Sequence, residues 1–120
     1  MQALSQIRSH IIISDEIEAE FERLETELKP SRVVKFLLID ESFKIEHAKA
    51  VLAEAYISES QTKYIVIGSK DITDIAQNSL LKLLEEPPEN IEFIIISPTK
   101  SNLLATVRSR LPILKQENSH

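Results

Sequence analysis

A chain of 120 residues, 42% hydrophobic and 28% charged, is long enough for one hydrophobic core, too short for two, and unlike a disordered tail in composition. The formal charge of −5 argues against an autonomous nucleic-acid binder, and the absence of cysteine removes disulfides and thiolate zinc sites. The single glycine, Gly68, excludes a phosphate-cradling loop, whose amides converge on a phosphate only where several side chains are missing.

In chain order, Met1–His10 has neither the basic flank nor the apolar stretch of a signal peptide. Met1–Ser9 is expected to be loose, as is Gln116–His120 at the other end. Ile11–Ser14 reads as a first buried strand. Ile17, Phe21, Leu24 and Leu28 then recur at steps of four, three and four, an apolar helical stripe with Ser14 or Asp15 as N-cap and Pro30 as its stop. Val33–Ile39 is the second strand. Ser42 precedes a second helical stripe of Ile45, Ala48, Leu52, Ala55 and Tyr56, with His47 on its solvated face.

Tyr64–Gly68 is the third strand, and Thr73 precedes a third stripe of Ala76, Leu80, Leu83 and Leu84 stopped by Pro87-Pro88. Ile91–Ser97 is the fourth strand. Ser101 is placed to cap a short fourth helix holding Leu104 and Val107, and Leu111–Leu114 reads as a fifth strand that Pro112 confines to an edge or a strand start. These runs are almost continuously apolar and β-branched, as in strands covered on both faces. Strands alternating with helices predict an α/β domain with a parallel five-stranded sheet in three layers. No apolar stretch approaches the roughly 20 residues of a membrane span, so the cytoplasm is the expected address.

In such folds a ligand binds beyond the carboxyl ends of the strands. Here those ends read Ser14-Asp15-Glu16, Asp40-Glu41, Gly68-Ser69-Lys70 and Ser97-Pro98-Thr99, and the first two would repel a phosphate. His10, His47 and His120 are isolated, so neither a metal nor a cofactor is expected. Asp40-Glu41 alone, with no third carboxylate or histidine, is a weak metal signal.

Two longer runs are more specific. Ala76-Gln77-Asn78-Ser79-Leu80-Leu81-Lys82-Leu83-Leu84-Glu85-Glu86-Pro87-Pro88 resembles the helix that follows the Walker B strand in clamp-loader ATPases. Leu103-Leu104-Ala105-Thr106-Val107-Arg108-Ser109-Arg110-Leu111 resembles the same family's helix leading into its Ser-Arg-Cys motif, in the version of the bacterial DNA polymerase III delta-prime kind. The resemblance implies an AAA+ core over residues 1–120, with strand order 5-1-4-3-2. It also implies a role in sliding-clamp loading during DNA replication. The expected partners are clamp-loader ATPase subunits and other DNA polymerase III subunits, with primer-template DNA met only inside the complex and no membrane.

The departures from the family matter as much. Ser14-Asp15-Glu16 stands where the P-loop would be, and Gly68-Ser69 where Walker B ends in two acids, so neither the magnesium-holding nor the water-activating carboxylate is present. The cysteine after the motif arginine is Leu111, and the family's zinc-binding cysteines are missing. Lid and collar domains do not fit within these residues, which implies a fragment or a shortened subunit.

What remains is the part of an AAA+ site donated to a neighbour. The resemblance implies that Arg110 is an arginine finger acting in trans, supported by Ser109, and that no ATP is bound or hydrolysed by the chain itself. A guanidinium is always charged and forks across phosphate oxygens. The plainer reading of Arg110 is a cation complementing a helix C-terminus. Arg108, two residues away, faces another side. Ser101 and Asn102 open the fourth helix in this reading, where amides can hold a DNA phosphate, although an ordinary N-cap explains them as well. Glu85 and Glu86 read as a solvated helix end. The competing function classes are a nucleotide hydrolase with an unorthodox site and a stand-alone adaptor or receiver-like α/β module built around Asp40-Glu41.

Overall fold

A computed structural model describes residues 7–116. Five strands, β1 (His10–Ile13), β2 (Arg32–Leu38), β3 (Lys63–Ser69), β4 (Ile91–Ser97) and β5 (Ile113–Gln116), form one all-parallel sheet in the order β2-β3-β4-β1-β5. This is the expected 5-1-4-3-2 order read from the other edge. Four helices connect them: α1 (Ile17–Glu27), α2 (Ile45–Ala55), α3 (Asp74–Glu85) and the single-turn α4 (Ala105–Arg108), the last preceded by a 3-10 turn at Lys100–Asn102.

The apolar, β-branched central strands are covered on both faces, and their side chains divide by the alternation of the pleat. Ile12, Val66, Ile94 and Ile96 point to one face, where Ile17, Phe21, Leu24 and Leu28 of the α1 segment meet them. Ile11, Ile13, Ile65, Ile67, Phe93 and Ile95 point to the other, covered by Ala48, Val51 and Ala55 from α2 and by Ala76, Leu80, Leu83 and Leu84 from α3. β2 is an edge strand and only half buried. Lys63 is fully buried at the start of β3, its Nζ 2.8 Å from Glu54 Oε2 and 3.1 Å from Glu59 Oε2, so the buried charge is paired.

Several local expectations are corrected by the structure. α1 begins at Ile17 with Glu16 in the cap position, while Ser14 Oγ accepts from the Glu16 amide at 3.1 Å and turns the chain instead of capping it. Ser42, just ahead of α2, donates its hydroxyl to Asp71 Oδ2 at 2.6 Å. At the start of α2 it is His47 whose Nδ1 accepts from the Lys44 amide, at 2.9 Å. The His47 ring packs on Phe43, so it is half-buried rather than solvated. Tyr56 is exposed, and Val51 takes its place in the core, because the buried stripe of α2 runs through Ala48, Val51 and Ala55.

Ser101 lies inside the 3-10 turn, and α4 starts later, at Ala105 after Leu104. Leu111 is buried ahead of β5, which begins two residues later than its apolar run suggested; the Pro112 carbonyl, just before the strand, accepts from the Ile11 amide at 2.8 Å. Thr73 caps α3 as expected, its Oγ1 accepting from the Ala76 amide at 3.2 Å.

Ser9, expected to be loose, is fixed by hydrogen bonds to Glu92 Oε1 and from the Phe93 amide, and Gln116 closes β5. The expectations for residues 1–6 and 117–120 lie outside the described residues. Among the described residues, no helix is long and apolar enough to cross a membrane.

Glu20, buried on α1, ties that helix to β5: Lys115 Nζ lies 3.0 Å from its Oε2 and Arg23 Nη2 2.7 Å from its Oε1. Burial alone would raise the Glu20 carboxyl, but the hydrogen bonds and charges of Arg23 and Lys115 hold it below the ordinary value. A carboxyl lowered in the folded state adds stability above its unfolded pKa and loses it as pH falls through the folded value. This contribution is therefore complete above the ordinary glutamate range and is lost as pH falls through the lowered folded value. Glu20→Gln should be less stable than the parent at pH 7, and urea melts should show the difference shrinking as the pH is lowered.

Candidate functional site

The place where a parallel sheet of this kind holds a ligand is the carboxyl end of β1, β2 and β3. An open cleft of about 550 Å³ lies there, lined by Asp15, Glu16, Ile17, Glu18, Ile39 and Lys70. Three carboxylates against one lysine give it the wrong sign for a nucleotide phosphate. The route from β1 into α1 is only Ser14-Asp15-Glu16, with no room for a loop of converging amides.

Gly68 explains how α1 comes so close to the sheet. A Cβ on Gly68 would lie 2.8 Å from Ile17 Cγ2 and 2.7 Å from Leu37 Cδ2, closer than real Cβ atoms approach. Ile17 is at the first turn of α1, so the missing side chain on β3 is the space into which the helix start packs. Leu37 can swing its terminal methyl away, but Ile17 is β-branched, stiff and buried. Gly68→Asp, the change that would return an acid to this position, should therefore destabilise the fold by about 3 kcal/mol or more, from overpacking and burial of a charge. It should not create binding of magnesium-ATP. Chemical denaturation and calorimetric titration of the variant measure the two parts.

The second site is at the opposite end of the sheet. α3 and α4 both run back from the carboxyl ends of their preceding strands, so Glu85 at the end of α3 and Arg110 just after α4 lie near the amino ends of β4 and β5. β4 is seven residues long, so the two ends of the sheet are roughly 20 Å apart.

Gln77 fixes the α4 segment on α3. This buried amide donates from Nε2 to the carbonyls of Ile72 at 2.8 Å and Asn102 at 3.0 Å, and its Oε1 accepts from the Leu104 amide at 2.7 Å. Asn102 adds a hydrogen bond from Nδ2 to the Lys70 carbonyl at 2.8 Å. The two recognisable runs are thus joined physically, because a side chain of the first holds the chain that leads into the second.

Arg110 follows the last turn of α4. Its Nη1 donates to the Thr106 carbonyl at 3.0 Å and to Ser109 Oγ at 3.3 Å, and its Nη2 lies 3.5 Å from Glu85 Oε1. The first contact is the interaction expected of a cation at a helix C-terminus. Arg110 Nε is enclosed and has no hydrogen-bond partner among the described residues. Ser109 is exposed beside it, its hydroxyl donating to the Thr106 carbonyl at 2.9 Å. Arg108 is exposed and directed elsewhere, its Nε donating to the Leu103 carbonyl at 3.2 Å.

Ser101 is exposed, within 3.2 Å of Thr99 Oγ1, and opens no helix of useful length. Asp40 and Glu41 are exposed beyond edge strand β2, and among the described residues no three acids or histidines group to hold a metal ion.

Neither Gln77 nor Glu85 stands out in the sequence as part of this site. Gln77 carries one signal, a polar residue next to Ala76 on the buried side of the α3 stripe. Glu85 carries none beyond its place at the helix end, since its meeting with Arg110 depends on how α3 and α4 pack.

The family model described as DNA polymerase III, delta subunit, matches residues 11–120. The delta' subunit of DNA polymerase III from Buchnera aphidicola subsp. Baizongia pistaciae is 42% identical over 53 residues, which are 43% of this chain and 16% of that protein. The gamma subunit of DNA polymerase III from Buchnera aphidicola subsp. Schizaphis graminum is 29% identical over 102 residues, 77% of this chain and 28% of that protein. The delta' subunit from Yersinia pestis is 54% identical over 39 residues, 32% of this chain and 12% of that protein. The chain therefore spans less than a third of each of these relatives. A crystal structure of a DNA polymerase III gamma subunit-related protein from Thermotoga maritima has the same fold, with a TM-score of 0.74 and 24% identity over 96% of this chain and 43% of that one.

Proposed function

The chain belongs to the DNA polymerase III delta-subunit family, and on that footing we propose that it acts in a bacterial clamp loader as a subunit that binds no ATP and donates Arg110 to ATP held by a neighbouring ATPase subunit. Residues 1–120 serve as one degenerate AAA+ core, acting in the cytoplasm beside other DNA polymerase III subunits and meeting primer-template DNA only within the complex.

The carrying observation is a separation of two half-sites. The cleft where nucleotide would bind is lined by three carboxylates and has no phosphate-binding loop, while the Arg110 guanidinium lies beside the end of α3, away from that cleft. An arginine that does not line its own chain's cleft is placed to serve an anion on another molecule. In a ring of such subunits that anion is a γ-phosphate, and a fixed guanidinium stabilises the charge that develops there during hydrolysis. Ser109 supports it through the 3.3 Å contact with Nη1.

The alternative of a receiver-like or adaptor module needs an acidic metal pocket at Asp40-Glu41, and the exposed position of both residues on an edge gives it no support. Calorimetric titration of the chain with magnesium-ATP tests the first half of the proposal. No saturable binding is expected up to about 1 mM, a limit equivalent to roughly −4 kcal/mol. Saturable binding tighter than that would overturn it.

A further inference from the structure

We propose that Glu85 is a latch on Arg110, a carboxylate that occupies the phosphate-facing edge of the guanidinium until an incoming oxyanion displaces it. This rests on the reading of Arg110 as a donor in trans. Of the guanidinium's five N–H groups, the two on Nη1 are engaged by the Thr106 carbonyl and Ser109 Oγ, which fixes that end of the group on α4. Of the remaining N–H groups, that of Nε is enclosed and those of Nη2 are the ones left to meet an outside oxygen.

Nε has no acceptor among the described residues, and Nη2 faces Glu85 Oε1, at 3.5 Å. That separation is longer than a good charge-assisted hydrogen bond, so the contact is mainly coulombic. The Glu85 side chain is 64% exposed and the Arg110 side chain 29%, so the acid is the partner free to turn away. An exposed pair of this kind contributes little and is readily exchanged. While it persists, the carboxylate cancels much of the positive potential that a neighbouring phosphate would meet. A phosphate oxygen displacing it would take over Nη2.

Glu85 is therefore a positioning residue that acts through Arg110 and touches no substrate. The test uses a clamp loader reconstituted with the full-length protein carrying Glu85→Gln, Arg110→Ala or both, assayed for ATP turnover without clamp or DNA. Glu85→Gln is expected to raise unstimulated kcat by about two- to five-fold, the factor represented by a lost exposed ion pair, with KM for ATP unchanged. The double variant is expected to match Arg110→Ala alone. Unchanged or reduced turnover in Glu85→Gln, or the same increase in the Arg110→Ala background, overturns the latch. A loss of turnover in Arg110→Ala alongside such a result leaves the donor reading standing. If Arg110→Ala has no effect, the donor reading fails and the latch fails with it.

Discussion

Arg110→Ala, placed in a clamp loader reconstituted from the full-length protein and its ATPase partners, should sharply reduce clamp- and DNA-stimulated ATP hydrolysis while the variant chain folds normally. The expected stability is close to that of the parent because the guanidinium's contacts are weak. One bond to a helix carbonyl, one to a neighbouring hydroxyl and a 3.5 Å ion pair with an exposed acid are lost. The enclosed Nε, a polar group without a partner among the described residues, is removed at the same time. Catalysis is another matter, since arginine fingers in comparable phosphoryl transfers contribute about 10³–10⁵-fold at the site they serve.

The loss for the whole complex should be smaller, because other subunits keep their own arginines. ATP affinity at the neighbour should change little, since its own phosphate-binding loop does the binding. Arg108→Ala makes the same change of charge two residues away, on a side chain bonded to the Leu103 carbonyl, and should leave turnover near the parent value. Steady-state ATPase assays with and without clamp and primed DNA measure both variants. Turnover and clamp loading at parental levels in Arg110→Ala would reduce the residue to a helix-terminal cation.

Leu80→Asp should leave the domain unfolded at 25 °C, whereas Glu86→Ala should melt within a degree or two of the parent. Leu80 is 3% exposed on the inner face of α3, in the cluster that includes Ile65, Phe93 and Leu84. Replacing it deletes a side chain whose truncation alone costs about 2–5 kcal/mol. A carboxylate with no buried partner adds several kcal/mol more. Against a total stability of about 5–15 kcal/mol for a domain, the sum is decisive. Glu86 is exposed past the end of α3, and its loss costs only a few tenths of a kcal/mol. Far-ultraviolet circular dichroism with thermal melts separates the two, and coincident melting curves would contradict the buried face assigned to α3.

Agreement between sequence and structure is best where a whole run of residues carries the signal. Continuous β-branched stretches at Ile91–Ser97 and around Tyr64–Gly68 predict strands buried on both faces, because no other environment accepts so many adjacent apolar side chains. The α3 stripe, capped by Thr73 and ended before Pro87-Pro88, is legible for the same reason. The shortage of glycine rules out a phosphate loop on stereochemical grounds alone. Strand order is not in the periodicity; it comes through the resemblance carried by the two runs.

Disagreement falls mainly on single polar or terminal residues and on the phase of one helical stripe. Ser14, Ser42 and Ser101 each satisfy the local rule for a helix cap, yet the first makes a turn, the second bonds Asp71, which is distant in sequence, and the third lies in a 3-10 turn. A hydroxyl takes whichever donor or acceptor the folded chain brings nearest, so its partner is a property of tertiary packing. Tyr56 and Val51 exchange places because a stripe of period 3.6 admits two phases over a short helix, and only contact with the sheet selects one.

Sequence by itself therefore determined the fold class, the loss of a phosphate-binding loop and Arg110 as the residue to watch. Tertiary structure decided the environment of that arginine. Gln77 holding the turn before α4, Glu85 facing Nη2, and Ile17 packed into the space at Gly68 each join segments separated in the chain. Such contacts depend on the relative placement of helices across a common sheet. Side-chain patterns specify which faces are buried, whereas the partner met at each face's edge is fixed only once the layers have closed.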